Sequence, residues 1–140
     1  APFFKQHEAF FHDLYMEQSS EYLSEINLSF IRAINALLNI KTELVDSRKL
    51  ELTGNKNERL IEAVLKLGGN HYLSGPAAKD YLDVDAFSRQ GIAVSWIDYS
   101  HYAEYPQPHP PFVHGVSILD LIFNVGAERA LSWLGPVPAV

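Results

Sequence analysis

The sequence contains no cysteine among its 140 residues. Without a thiol the chain cannot form a disulfide bond, a thiolate nucleophile or a zinc site with thiolate ligands. Any metal site would therefore depend on histidine and carboxylate side chains. The lack of cysteine is compatible with a reducing cytoplasm but does not decide the compartment.

Long apolar runs are also missing, because no stretch approaches the roughly 20 apolar residues that a helix needs to cross a bilayer. Basic residues are few: 11 Lys and Arg stand against 17 Asp and Glu, which gives a formal net charge of -6. Non-specific binding to nucleic acid requires clustered positive charge. We therefore expect a cytoplasmic protein that binds neither a membrane nor nucleic acid.

The chain begins at Ala1 without an initiating methionine, and it lacks the basic start and apolar stretch of a secretory signal. Its length is close to the commonest size of one domain. No internal repeat, low-complexity block or linker divides it. We therefore expect one domain, from a processed or truncated chain.

The first third of the chain has a helical pattern. Apolar residues recur at three- and four-residue spacings from Pro2 to about Gln18, and again after Ser19 or Ser20, each of which is a suitable N-cap. This pattern predicts two packed amphipathic helices, the second ending at Asn39-Ile40.

Short strands alternate with helices in the rest of the chain. The predicted strands are Thr42 to Asp46, His71 to Ser74 and Ile92 to Tyr99, and the predicted helices are Asn57 to Leu67, Ala77 to Tyr81, Asp83 to Gln90, Ile118 to Asn124 and Glu128 to Leu134. Alternating strands and helices pair in parallel through right-handed crossovers. We therefore predict an α/β fold: a small, mainly parallel sheet flanked by helices, like half of a Rossmann fold, with a helical amino-terminal region.

The Ser-Gly-Pro turn after the strand at His71 to Ser74 is the first candidate site, since open α/β sheets bind ligands at the carboxyl ends of their strands. Ser74, Gly75, Lys79 and Asp80 are candidate substrate-binding residues, because backbone N–H groups and the Lys79 ammonium suit an anion. The stretch is neither a P-loop nor a nucleophile elbow. The alternative is a plain turn with Lys79 and Asp80 facing solvent.

A proline-rich loop from Tyr102 to Pro111 is the second candidate, since it contains four prolines and no apolar period. A long ordered loop of this kind more often has a function than serves only as a connection. His101, just before it, is the candidate general acid or base, because the unperturbed imidazole titrates near neutrality.

The same loop offers a metal site as an alternative. Histidine and carboxylate are common ligands of transition metals, and the nearby candidates are His101, His109, His114, Asp98, Glu104 and Asp120. Their spacing matches no zinc signature. We therefore predict no metal site, and the sequence identifies no cofactor.

Asp120 and Asn124 lie four residues apart on one face of the helix after Ser117. Asp120 is a candidate catalytic residue, and Asn124 is a candidate substrate-binding residue. An equally good interpretation is that these groups pair locally and hold the proline-rich loop. Arg59 is a further candidate for binding a carboxylate or phosphate, although an exposed ion pair is its commoner role.

An ordered set of stretches matches the pattern of a known family. The stretches are Tyr72 to Leu82, Phe87, Gly91-Ile92, Tyr99, His101 and Ser117 to Asn124, with further likeness through Asn57 to Ile61 and the paired helices. Together they resemble the WbqC-like protein family over nearly the whole chain. The resemblance implies one α/β domain over residues 1–140, from the carboxyl-terminal part of a longer protein.

The resemblance also implies a role in assembling bacterial O-antigen or other surface polysaccharides, with transfer of a glycyl or other small acyl group to a sugar. Three features depart from the family pattern. The amino-terminal portion with its Gln-Pro-x-Tyr-x-Pro-Trp motif is missing, His101-Tyr102 replaces His-Pro, and His114 replaces a proline. The family's catalytic residues are not carried over.

Three functions follow as hypotheses. The first is a biosynthetic enzyme, or its fragment, acting on a sugar or amino-acid-type substrate, in which Ser74, Gly75 and Lys79 hold an anionic group and His101 or Asp120 assists proton transfer. The second is a non-enzymatic module that binds a small molecule or a partner protein. The third is a metal-dependent hydrolase. A homo-oligomer is compatible with each.

Overall fold

The computed structural model describes residues 1–100 and 102–134. In chain order its elements are α1 (Phe4–Met16), α2 (Leu23–Leu37), a 3-10 helix (Ser47–Leu50), α3 (Lys56–Lys66), β1 (His71–Ser74), a second 3-10 helix (Pro76–Asp80), α4 (Val84–Arg89), β2 (Ala93–Trp96), α5 (Ile118–Val125) and α6 (Ala127–Leu134). The two strands pair in parallel, and helices flank them. The predicted α/β class is therefore confirmed.

The chain divides into two compact units. Within the described residues, the helical unit contains 1–42 and 102–134, and the sheet unit contains 43–100. The expectation of one domain over residues 1–140 stays a prediction. None of the helices in the described ranges is both long and apolar enough to cross a membrane.

The core of the helical unit is built mainly from α1, α5 and α6. Its buried members are Phe11, Leu38, Leu121, Ile122, Val125, Ala127 and Ala130. The Phe3 N–H donates to the Phe123 carbonyl at 2.9 Å, and the rings of Phe11 and Phe123 meet edge to face at 5.3 Å between centroids. Gly126 ends α5 at φ 83°, where a Cβ would also lie 3.0 Å from the Phe3 ring. These contacts fix α1 against α5.

The core of the sheet unit lies on one face of its two strands. Side chains alternate between the faces of a strand, so Tyr72, Val94 and Trp96 pack against the buried Leu82, Phe87 and Ile92. Three residues of α3 complete this cluster: Leu60, Ile61 and Val64. Leu73, on the other face, is 47% exposed. The register places His71 opposite Ala93 and Ser74 opposite Trp96.

The predicted strand at Thr42 to Asp46 is wrong. A strand needs a neighbour that completes its hydrogen-bond ladder, and no described segment pairs with this one. Leu44 and Val45 are 37% and 40% exposed, while the Asp46 carboxylate accepts the Arg48 N–H at 2.9 Å. Local turn formation therefore replaces the strand.

Two helix starts also differ from the prediction. Neither Ser19 nor Ser20 is the N-cap of α2, which follows Tyr22; the Ser20 hydroxyl instead accepts the Tyr22 N–H at 3.1 Å and donates to the Glu25 carboxylate at 2.6 Å. α3 follows Asn55 rather than Asn57. The Asn57 amide donates to the Tyr81 carbonyl at 3.4 Å, so Asn57 joins α3 to a later loop.

Candidate functional site

A cleft of about 370 Å3 opens where β1 and β2 end in the sheet unit. Pro76, Lys79 and the run from Trp96 to Ser100 line it. The Ile97 N–H donates to the Ser74 carbonyl at 2.8 Å. The carboxyl ends of the two parallel strands therefore lie side by side at the same edge of the sheet. Open α/β sheets bind ligands at this edge. The cleft is therefore the candidate binding site of this unit.

The Lys79 ammonium lies over one aromatic ring of the cleft, with Nζ 5.8 Å from the Trp96 ring centroid. Lys79 and Asp80 are both exposed. Lys79 forms no ion pair with any residue in the described ranges. A cation–π contact at an exposed site is worth about 0.5–1 kcal/mol. The positive charge of Lys79 is therefore available to an anionic ligand.

Ser74 and Gly75 precede the cleft in the chain but do not line it. The Gly75 carbonyl accepts the Ala78 N–H at 3.1 Å, which closes the first turn of the five-residue 3-10 helix. Gly75 has a φ of -71°, and a Cβ there would lie 3.6 Å from the Tyr99 hydroxyl, an ordinary contact. The turn therefore does not require glycine, and the substrate-binding roles of Ser74 and Gly75 stay predictions.

Arg59 lies in the sheet unit but outside the cleft. Its guanidinium Nη1 donates to the Leu52 carbonyl at 3.1 Å, which ties the preceding loop to α3. Its proposed contact with substrate stays a prediction.

Asp120, in the helical unit, already receives two internal donors. Its Oδ2 accepts the Tyr105 hydroxyl at 2.7 Å and the Gln107 amide at 2.9 Å. Burial, followed by the hydrogen bond to the Asp120 carboxylate, raises the pKa of Tyr105 to about 12. Gln107 also exchanges hydrogen bonds with both backbone groups of Val113. This geometry supports the interpretation that Asp120 holds the proline-rich loop, and its catalytic role stays a prediction.

Asn124 is buried on α5, with 6% of its surface exposed. Its amide nitrogen donates to the Asp120 carbonyl at 2.8 Å, so the side chain binds its own helix. Its Oδ1 accepts no hydrogen bond from the residues that the structure describes. Asp120 and Asn124 share one unit, whereas the other described candidates belong to the sheet unit.

The remaining histidines do not assemble a metal site in the described part of the chain. His101 lies outside the described residues. His114 Nε2 is 3.7 Å from Glu104 Oε1, and both side chains are more than half exposed. No group of three or more His, Asp and Glu residues in the described ranges is close enough to hold a metal ion.

Two aromatic residues of the cleft were missed as site residues. The sequence pattern places Trp96 and Tyr99 in a predicted strand, whereas the structure places both in the wall of the cleft, with Trp96 as the last residue of β2. A run of aromatic and acidic residues just after a parallel strand was the available signal. The sequence also gave no sign that His71 Nε2 and Ser95 Oγ would lie 2.7 Å apart across β1 and β2. No described carboxylate orients this histidine, so we interpret the contact as a cross-strand polar pair.

Comparison with known proteins identifies the family. Residues 1–131 match the family model described as the WbqC-like protein family. The chain is also 41% identical over 115 residues to the uncharacterized protein Rv1507c of Mycobacterium tuberculosis. That match covers 82% of this chain and 50% of the relative, so the chain spans half the length of that protein. No solved structure matches the chain. Because the family model covers nearly its whole length, the chain belongs to the WbqC-like protein family.

Proposed function

We propose that this chain is part of an enzyme of bacterial surface-polysaccharide assembly that transfers a glycyl or other small acyl group from an activated donor to a sugar. Its membership of the WbqC-like family supports the biosynthetic setting. The observation on which the proposal rests is the Lys79 ammonium beside the cleft at the carboxyl ends of β1 and β2.

The proposed reaction uses this charge on the donor. Activated acyl donors have anionic leaving groups, and a fixed cation stabilises the charge that develops as such a group departs. Lys79 pairs with that group. The acceptor hydroxyl forms a bond to the acyl carbon while the bond to the leaving group breaks.

The acceptor proton in this reaction passes to a general base and then to the leaving group. His101 is the proposed base, because imidazole titrates near neutrality. Asp120 is the weaker candidate, since its Oδ2 already accepts hydrogen bonds from Tyr105 and Gln107.

The test replaces Lys79 by alanine in the chromosomal gene and measures the acyl content of the surface polysaccharide by mass spectrometry. Loss of about 1.4 kcal/mol of donor binding corresponds to a tenfold effect, so we expect a drop of at least about that factor. Lys49→Ala is the matched control, because Lys49 is also exposed and lies in the same unit but outside the cleft. Unchanged acyl content in a Lys79→Ala, His101→Ala double variant would contradict the proposal.

A non-enzymatic partner-binding module is the second candidate. A groove of about 470 Å3 in the helical unit, lined by Tyr15, Ile26, Asn27, Phe30 and Ile31, favours it. Tyr15 and Ile31 are 57% and 47% exposed there. This function predicts that Ile31→Asp abolishes polysaccharide production while Lys79→Ala leaves it intact. The opposite result would exclude it.

A further inference from the structure

We infer that the cleft at the ends of β1 and β2 binds the nucleoside phosphate part of the donor, with the base on the Trp96 ring and a phosphate at Lys79. This inference rests on the proposed function, because it specifies what the donor looks like. Nothing in the family match names such a ligand.

The first support is the pairing of an indole with an ammonium. Trp96 packs against the buried cluster of Leu82, Phe87 and Ile92, and Lys79 Nζ lies 5.8 Å from the Trp96 ring centroid. The contact is weak, whereas hydrogen bonds between charged partners are about twice as strong as neutral ones. A bound phosphate is therefore a stronger partner for the Lys79 ammonium than the indole is, and the ammonium moves towards it. The face of the Trp96 ring that the ammonium covered is then open for stacking of a base.

The second support is the size and lining of the cleft. Its volume of about 370 Å3 lies within the range typical of small-molecule sites, and it is far larger than inorganic phosphate needs. Apart from Lys79, its wall includes the apolar surfaces of Pro76 and Ile97 and the ring of Tyr99, together with the polar residues Asp98 and Ser100. Such walls suit a planar, partly apolar group attached to the anion. Stacking of a base on an aromatic side chain is worth about 1–3 kcal/mol.

The third support is the chemistry of activated donors. Coenzyme A esters and aminoacyl adenylates, two classes of activated acyl donor, differ in the group that they transfer, but each contains a nucleoside joined to phosphate. One site for that shared part would hold any of them and leave the transferred group outside the cleft. The test therefore compares small molecules that contain this shared part, or only a piece of it.

The test uses tryptophan fluorescence of the whole chain with the substitution Trp133→Phe. The sequence contains two tryptophans, so Trp96 is then the only reporter. The probes are UMP, AMP, coenzyme A, ribose 5-phosphate and inorganic phosphate, with free N-acetyltryptophanamide as the control for absorption by the probe. We expect saturable quenching by at least one nucleotide in the millimolar range or below, and no saturable change with ribose 5-phosphate or phosphate.

Two variants place the ligand in the cleft. Lys79→Ala should weaken nucleotide binding by about tenfold, the equivalent of 1.4 kcal/mol, whereas Lys49→Ala should leave it unchanged. Calorimetric titration of the chain with both tryptophans checks the result independently of Trp133→Phe, and circular dichroism checks the fold of each variant.

Binding of ribose 5-phosphate as tight as that of AMP and coenzyme A would overturn the inference, because it would remove the role of the base. The absence of binding by every nucleotide would also overturn it. If the Lys79→Ala strain nevertheless loses its polysaccharide acyl groups, the proposed acyl transfer stands and only the nucleoside assignment falls. Tighter binding of AMP or coenzyme A than of UMP identifies the class of acyl donor, whereas tighter binding of UMP than of both would overturn the assignment of the cleft to the acyl donor.

Discussion

Asp120 in the helical unit and Lys79 in the sheet unit are both charged candidate site residues, but they differ in the partners that the fold gives them. Asp120 Oδ2 accepts hydrogen bonds from Tyr105 and Gln107. Lys79 contacts the Trp96 ring and pairs with no carboxylate in the described ranges. A charge with internal partners contributes to stability, whereas one without them contributes little and can bind a ligand. The comparison therefore favours the sheet unit as the place where the proposed ligand binds.

Each unit can be followed separately, because Trp96 lies in the sheet unit and Trp133 in the helical unit. Trp133→Phe leaves a reporter of the sheet unit, and Trp96→Phe leaves a reporter of the helical unit. Urea unfolding followed by fluorescence then gives a free energy of unfolding for each unit.

The largest expected effect tests whether the stability of the sheet unit lies in its core rather than its cleft. Phe87 is fully buried and stacks on Tyr72, with 5.2 Å between ring centroids. Replacing a buried phenylalanine by alanine costs about 3–5 kcal/mol through lost burial and the cavity left behind. We expect Phe87→Ala to lower the unfolding free energy reported by Trp96 by that amount.

Tyr81→Ala is the control for this prediction, because Tyr81 is 69% exposed in the same unit. Exposed substitutions usually change stability by no more than about 0.5 kcal/mol. Equal effects of Phe87→Ala and Tyr81→Ala would show that the described core does not stabilise the unit.

A smaller effect tests the difference between Asp120 and Lys79 directly. Asp120→Ala leaves the half-buried Tyr105 and Gln107 donors without their acceptor, which costs about 1 kcal/mol, the lower end of the penalty for groups removed from water. We expect that loss in the unfolding free energy reported by Trp133. Lys79→Ala should change the value reported by Trp96 by less than about 0.5 kcal/mol. If Lys79→Ala were the more destabilising substitution, the comparison would be reversed.

The smallest effect concerns Glu62, whose carboxylate accepts hydrogen bonds from other residues of the sheet unit. Hydrogen bonds from the Gly54 N–H, the Lys66 ammonium and the Thr53 N–H, in that order of effect, lower its pKa from 4.5 to about 2. A lowered pKa means that folding favours the ionised form, so the stabilisation is complete above pH 4.5 and is lost as the pH falls through about 2.

Urea unfolding across this pH range tests the sign. The natural chain should exceed Glu62→Gln in stability at neutral pH, and the two should converge below pH 2, where the carboxyl group is protonated in both folded and unfolded states. Glu43→Gln is the control, because Glu43 is exposed and has no described hydrogen bond or ion pair. A difference that stays constant with pH would contradict the assigned interactions.

The elements that were predicted well depend on local signals. The spacing of apolar residues predicted α1 and α3, and the apolar run before the Gly-Pro turn predicted β1 at His71 to Ser74. Thr42 to Asp46 had an equally good strand composition, yet no strand among the described residues pairs with it. A strand depends on a distant neighbour, which its own residues do not specify.

The candidate site shows the same division. Sequence reasoning selected Lys79, because its position after a strand and a Gly-Pro turn is a local feature. It did not select Trp96, and it left open whether Asp120 served catalysis or the loop. The hydrogen bond from Tyr105 to Asp120 spans 15 residues, so no periodic pattern indicated it.

The sequence by itself determined the helices, the α/β class, the absence of thiol chemistry and the position of the Gly-Pro turn, because each follows from composition or from residues within a few positions of one another. Tertiary structure decided which charges are used by the fold and which face a cleft. The parallel register sets Ser74 opposite Trp96 and so places the Trp96 indole beside Lys79. These residues are distant in the sequence, so their contact depends on the crossover that returns the chain to the sheet.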